Sequence, residues 1–219
     1  MPCDRSVIGI WTLVLAMCSS GPTFAEEPEP SRVRGIILFV VDGMGVATIT
    51  AARAHRGWID GVQPPPAATL RVDAAPRMAL LRTWSEDALV TESAAAITAM
   101  LTGEKVPNGV ICVRSDAGGI VSLPTLLEIA EANGLSTGVV STARITHATP
   151  AGAYAHVPDR GWEEVIAAQM LPGPGSPGLG NGIEVILGGG RDYFVAASSD
   201  GGRRKDGIFS RSSRRLGTP

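Results

Sequence analysis

With 219 residues, 44% of them hydrophobic, the chain has the length of one ordinary domain and enough apolar side chains to fill its core. Its formal charge of -2 and pI near 5.9 leave none of the basic surplus that neutralising a run of phosphates requires, which argues against nucleic acid as a partner.

Residues 1–25 read as a secretory signal peptide: a polar start with Arg5, an apolar run over 7–17, then small residues through Thr23 and Ala25. The run is short for a bilayer, so no stable membrane span is expected. The mature chain is then secreted or periplasmic, with a lipid anchor at Cys18 as the alternative. Loss of the leader leaves Cys112 as the sole cysteine, so core packing or metal, rather than an internal disulfide, must hold the fold.

Residues 26–34, acidic and proline-bearing, read as a mobile lead-in to a domain over 35–207. The run GIILFVVDGMG, residues 35–45, predicts a buried strand ending at Asp42 and a glycine turn, and VATITAARAHR predicts a helix. QPPPAAT, 63–69, is a loop. Residues 93–102, alanine-rich with spaced Ile97, Met100 and Leu101, predict a closely packed helix that Gly103 ends. SLPTLLEIAEANG, 122–134, predicts a helix stopped by Asn133 and Gly134. A buried strand over STGVVSTA, a short helix over 163–170, a flexible surface excursion over 171–182 and a strand over IEVILGGG complete the series. Strands alternating with helices over short linkers predict an α/β fold, a mainly parallel central sheet with helices on both faces. Ligands of such sheets gather at the carboxyl ends of strands.

Several residues could carry chemistry there. Asp42, at a strand end, is either a turn cap or a hard oxygen ligand for a divalent cation. Ser93, before an alanine-rich helix, is either an N-cap or a nucleophile, since the positive end of a helix favours an incoming anion. No Gly-x-Ser-x-Gly surrounds it, which leaves metal coordination as the route to activate its hydroxyl. The segment THATPAGAYAHVPDR places His147, Thr149, His156 and Arg160 after a strand, where imidazole and hydroxyl can join a cation site and a guanidinium can fork onto phosphate. Gly188 to Gly190 read as a tight turn, because no Gly-Lys-Ser/Thr phosphate-loop pattern follows them.

Four stretches, GIILFVVDGMGVATITAAR, VTESAAAITAMLTGEKVPNGVI, STARITHATPAGAYAHVPDR and IEVILGGGRDYF, closely resemble the N-terminal half of the alkaline phosphatase family, in family order over about residues 35–194. The resemblance implies that Ser93 is the nucleophile of a phosphoserine intermediate and that Arg160 clamps phosphate. It implies that Asp42 bridges a magnesium and a zinc, and that His147 and Thr149 complete the magnesium site. His156 matches a common family residue with no assigned metal. It further implies two zinc ions and one magnesium, phosphate monoester substrates and, for the full-length family, a homodimer. Glu92 stands where the family commonly has Asp, the usual partner of the phosphate-binding arginine. No histidine follows His156, so the family's two-zinc centre is expected to be incomplete. Residues 208–219 read as a divergent tail and the chain as a truncated or frameshifted product, whose alternative function is weak metal or phosphate binding without turnover. Sulfatases and phosphomutases share the general architecture, but not the stretches around Ser93 and His147.

Overall fold

The computed structural model describes residues 35–173 and 177–203. The expected leader, the lead-in and the tail lie outside the described residues. By backbone contacts the chain divides into residues 1–39 and 40–219.

Of the first unit, residues 35–39 are described, and they enter no strand. The expected strand over 35–42 is therefore corrected. Ile36, Ile37, Leu38 and Phe39, and Val41 beyond the boundary, are all exposed, and no strand pairs alongside them among the described residues. A β-rich sequence supplies the propensity for a strand, but the ladder needs a partner.

The second unit is mixed α/β. Its elements are helix α1 (Val46–Asp60), helix α2 (Ser93–Thr102), strands β1 (Val113–Asp116) and β2 (Gly119–Ser122), helix α3 (Leu126–Ala132), strand β3 (Gly138–Arg144), the single turn α4 (Ala148–Ala151), helix α5 (Glu163–Gln169) and strand β4 (Val185–Gly189). β3 and β4 pair in parallel, Gly138 with Val185 and Val140 with Leu187, and after an irregularity Arg144 pairs with Gly189. This is the parallel pairing expected of an α/β chain. β1 and β2 form an antiparallel hairpin that the sequence reading did not anticipate.

α3 is shorter than the expected 122–134, because Ser122 belongs to β2 and Pro124 precedes the cap. Thr125 and Glu128 close a capping box, the Thr125 hydroxyl accepting from Glu128 N–H while the Glu128 carboxylate accepts from Thr125 N–H. α2 has the expected bounds, and Gly103 takes the left-handed conformation (φ 78°) that ends it, its N–H bonding to the Ala99 carbonyl.

The core explains where the later residues go. Ala94 joins a cluster with Ile111, Cys112, Val139, Ile145, Tyr154, Ile166 and Leu179, while Ala95 on the neighbouring face of α2 packs with Val106 and Leu123. A helix wedged between two clusters needs small side chains, which accounts for its alanines. The backbone of α4 comes so close that a Cβ on Gly152 would lie 2.4 Å from Ile97 Cγ2. Leu179 is fully buried, which corrects the reading of 171–182 as a surface excursion: an apolar anchor worth about 1.5–3 kcal/mol on burial ties part of it down.

One buried pair makes stability depend on pH. His156 Nδ1 lies 2.9 Å from the Cys112 carbonyl, and Nε2 lies 2.8 Å from Glu128 Oε1. Both ring nitrogens face acceptors, so the imidazolium is the form that satisfies the site. Burial, with Glu128 acting in the same direction, pushes the nearby Cys112 thiol up to about 12 and keeps it neutral. Burial opposes the charge on His156, but Glu128 and the Cys112 carbonyl outweigh it and raise the imidazole above 6.5. Burial likewise acts against ionised Glu128, yet His156 and Thr125 hold that carboxyl below 4.5. The histidine contribution is thus fully present below pH 6.5 and lost as pH rises through its raised folded value; the glutamate contribution is present above pH 4.5 and lost as pH falls. Thermal midpoints of the protein and of His156→Gln, measured from about pH 6 to about pH 9, are expected to converge as pH rises. A constant difference across that range would contradict the pair.

Candidate functional site

The candidate residues come from four places in the 40–219 unit. Ser93 opens α2, His147 precedes α4 and Thr149 lies within it, and Arg160 lies in the segment between α4 and α5. Asp42 occupies the turn before α1.

Glu92, not Ser93, caps α2, which corrects the reading of Ser93 as the cap. The Glu92 carboxylate accepts from Ala94 N–H (2.9 Å), Ala95 N–H (3.0 Å) and, from another segment, Gly109 N–H (2.9 Å). Ser93 is left at the first helical position with its hydroxyl outside the capping bonds. A second consequence follows: the amides of Ala94 and Ala95 are already spent on Glu92, so an anion at Ser93 would be held by side chains rather than by those groups. Burial acts to raise the Glu92 carboxyl, but the amides of Ala94, Gly109 and Ala95, together with Arg160, hold it below the usual range. It remains a carboxylate at neutral and alkaline pH.

Arg160 joins the group together. Its Nη1 donates to Ser93 Oγ at 2.8 Å and to the Glu92 carboxylate. Its Nη2 lies 3.0 Å from His147 Nε2. Since the guanidinium can only donate, Nε2 accepts and the imidazole proton sits on Nδ1. Burial drives the His147 imidazole below its ordinary range; Arg160 and Arg144 act in the same direction, against Asp42 and Glu163. His147 is therefore neutral. Arg144 has its own partner: its Nε and Nη2 donate to Glu163 at 2.9 and 2.8 Å, and Thr146 Oγ1 donates to the same carboxylate. Arg160 is thus the guanidinium aimed at the Ser93 hydroxyl.

Two residues beyond His147, Thr149 Oγ1 donates to Asp42 Oδ2 at 2.8 Å. The structure accordingly forms two hydrogen-bonded sets, Glu92–Arg160–Ser93–His147 and Asp42–Thr149, the residues after β3 contributing to both, where α/β sheets hold their ligands. His156, four residues before Arg160, is committed to Glu128 and the Cys112 carbonyl.

The alkaline phosphatase profile matches residues 33–212 of the chain. The chain belongs to the alkaline phosphatase family. It is similar to the streptomycin-6-phosphate phosphatase of Streptomyces griseus, 34% identical over 211 residues that cover 90% of this chain and 45% of that one. Among solved structures it resembles the Thermus thermophilus alkaline phosphatase, with TM-score 0.61 and 32% identity over 75% of this chain and 32% of the other. It also resembles a histidine-to-aspartate variant of the alkaline phosphatase from the Antarctic bacterium TAB5, solved with Mg bound, with TM-score 0.51 and 35% identity over 63% and 37% of the two chains. The chain spans about 30% to 45% of the length of the curated relatives it matches.

Membership of this family implies metal, and the two metals fare differently against the residues present. Asp42 and Thr149 set a carboxylate and a hydroxyl side by side, hard oxygen donors that suit magnesium with water completing its shell. For zinc, no group of three His, Cys, Asp or Glu that could hold a metal occurs among the described residues. The donor set there does not fit a two-zinc centre. Among the described residues, moreover, no helix is long and apolar enough to cross a membrane.

Proposed function

We propose that this alkaline phosphatase chain carries the nucleophile and the phosphate clamp for hydrolysis of phosphate monoesters through a phosphoserine. The observation that supports this best is Arg160 Nη1 at 2.8 Å from Ser93 Oγ, with the Glu92 carboxylate accepting from the same nitrogen. A phosphoryl group approaching Ser93 would meet the guanidinium fork as it meets the hydroxyl. The Ser93 Oγ–phosphorus bond forms as the bond to the ester oxygen breaks, the serine proton passes to solvent, and the departing alkoxide takes up a proton. Attack by water on phosphorus then returns the Ser93 hydroxyl and releases phosphate.

Asp42 and Thr149 would hold a magnesium, with His147 at its edge. When bound, such an ion supplies positive charge that favours the ionised serine oxygen. The family's two zinc ions enter no step here. The donor set unmatched among the described residues favours a second reading, in which this chain by itself binds phosphate or metal weakly without turnover.

The proposal includes the division of the chain into a leader over 1–25, a lead-in over 26–34, a phosphatase-like domain over 35–207 and a tail over 208–219. It also places the mature protein in the periplasm or outside the cell, as a homodimer in the full-length family. The deciding assay incubates the purified protein with zinc and magnesium and a chromogenic phosphate ester at alkaline pH, then maps phosphate on the peptide containing Ser93. Turnover with phosphate on Ser93 supports the enzyme. Phosphate binding with neither turnover nor phosphoserine supports the second reading.

A further inference from the structure

Asn108 and Gly109 lie between α2 and β1, and their polar groups are directed at the nucleophile segment. Asn108 Nδ2 donates to the Val90 carbonyl at 3.0 Å, and Asn108 Oδ1 accepts from Glu92 N–H at 3.1 Å. One carboxamide thus satisfies the backbone on both sides of Thr91, as a neighbouring strand would. Asn108 is fixed in turn, its own N–H donating to Asp87 Oδ1 at 2.9 Å.

Gly109 completes the bracket. Its N–H donates to Glu92 Oε1 at 2.9 Å, and its carbonyl accepts from Arg160 N–H at 2.8 Å. Its φ of 87° lies in the left-handed region, a conformation that favours glycine. The ladder continues through Ile111 and Val157, whose N–H groups bond to each other's carbonyls at 2.9 and 3.0 Å. Asn108–Gly109 is therefore where the segment bearing Ser93 and the segment bearing Arg160 are tied to one backbone.

We infer that Asn108 is a positioning residue for phosphate capture, setting the Glu92–Ser93 backbone in register with Arg160. This rests on the reading of Ser93 and Arg160 as phosphate machinery. The carboxamide touches no reacting atom, so it acts through Glu92. Misplacement of a supporting group by about 1 Å can cost on the order of 100-fold.

The experiment measures inorganic phosphate affinity by titration calorimetry on the whole chain, with thermal midpoints recorded alongside. Its variants are Asn108→Ala, Asn108→Asp, Arg160→Ala and Asn181→Ala, the last a control on an exposed asparagine whose side chain bonds Glu184. Asn108→Ala is expected to weaken phosphate binding about tenfold. Asn108→Asp, which keeps the acceptor for Glu92 N–H and loses the donor to Val90, is expected to fall between Asn108→Ala and the unsubstituted protein. Asn181→Ala should bind unchanged. Should Asn108→Ala fail to fold, Asn108→Asp decides alone. If Arg160→Ala abolishes binding while both Asn108 variants bind like the unsubstituted protein, or change only the thermal midpoint, the positioning role is overturned and the site reading stands. If phosphate binding does not depend on Arg160, the site reading fails and the positioning role fails with it.

Discussion

Replacing Ser93 by alanine is expected to abolish phosphate ester hydrolysis, by at least ~10³-fold, while leaving the thermal midpoint nearly unchanged. The two halves of that expectation come from different bonds. Under the proposed mechanism, loss of Oγ removes the atom that bonds phosphorus, so no phosphoserine can form. Stability is spared because the capping is done by the Glu92 carboxylate on the amides of Ala94 and Ala95. A serine acting as the cap would cost about 1 kcal/mol on truncation. Ester turnover, phosphopeptide mapping and a melting curve of Ser93→Ala therefore separate the roles that the sequence leaves merged. An unchanged rate would end the assignment of Ser93 as nucleophile; a lowered midpoint would return it to the cap.

Why the sequence leaves them merged is instructive about what is local. The bounds of α2 are legible because alanines, spaced Ile97 and Met100, and Gly103 act within their own turn. Its cap is not: serine is the better N-cap by propensity, and Glu92 takes the role in a setting that includes Gly109 and Arg160, 17 and 68 residues away. The apolar run over 35–41 shows the same limit in reverse. Its composition reads as a strand, but no strand pairs with it among the described residues. The β1–β2 hairpin is not legible because seven of its eight residues are exposed, so no buried face imposes an alternation of apolar and polar positions. Its turn at Ala117–Gly118, braced by Asp116 Oδ1 accepting from Gly118 N–H, was the available signal. For the candidate site, family resemblance alone brings Ser93, Arg160, His147, Thr149 and Asp42 forward, and the structure bonds Arg160 to Ser93 and Thr149 to Asp42. Asn108 and Gly109 are not legible, since an Asn–Gly pair in a loop reads as a turn until its partners are known.

Arg160→Ala is expected to lower kcat/KM for a phosphate ester by about 10²–10³-fold and to weaken inorganic phosphate binding in parallel. Arg160 is the one cation that contacts the Ser93 hydroxyl among the described residues, and Arg144 cannot replace it while bonded at two points to Glu163. The loss is compounded because Glu92 keeps its charge: three backbone N–H groups hold the carboxylate ionised, so removal of the guanidinium leaves a negative group beside the place a phosphoryl dianion must occupy. Arg160→Lys restores charge without the fork and should recover only part of the loss. The decisive comparison is the double variant Glu92→Gln/Arg160→Ala. If the repulsion is real, neutralising Glu92 recovers phosphate affinity relative to Arg160→Ala alone, although it sacrifices part of the α2 cap and lowers the melting temperature. If the double variant binds phosphate no better than the single one, Glu92 serves the helix alone and the clamp is Arg160 by itself.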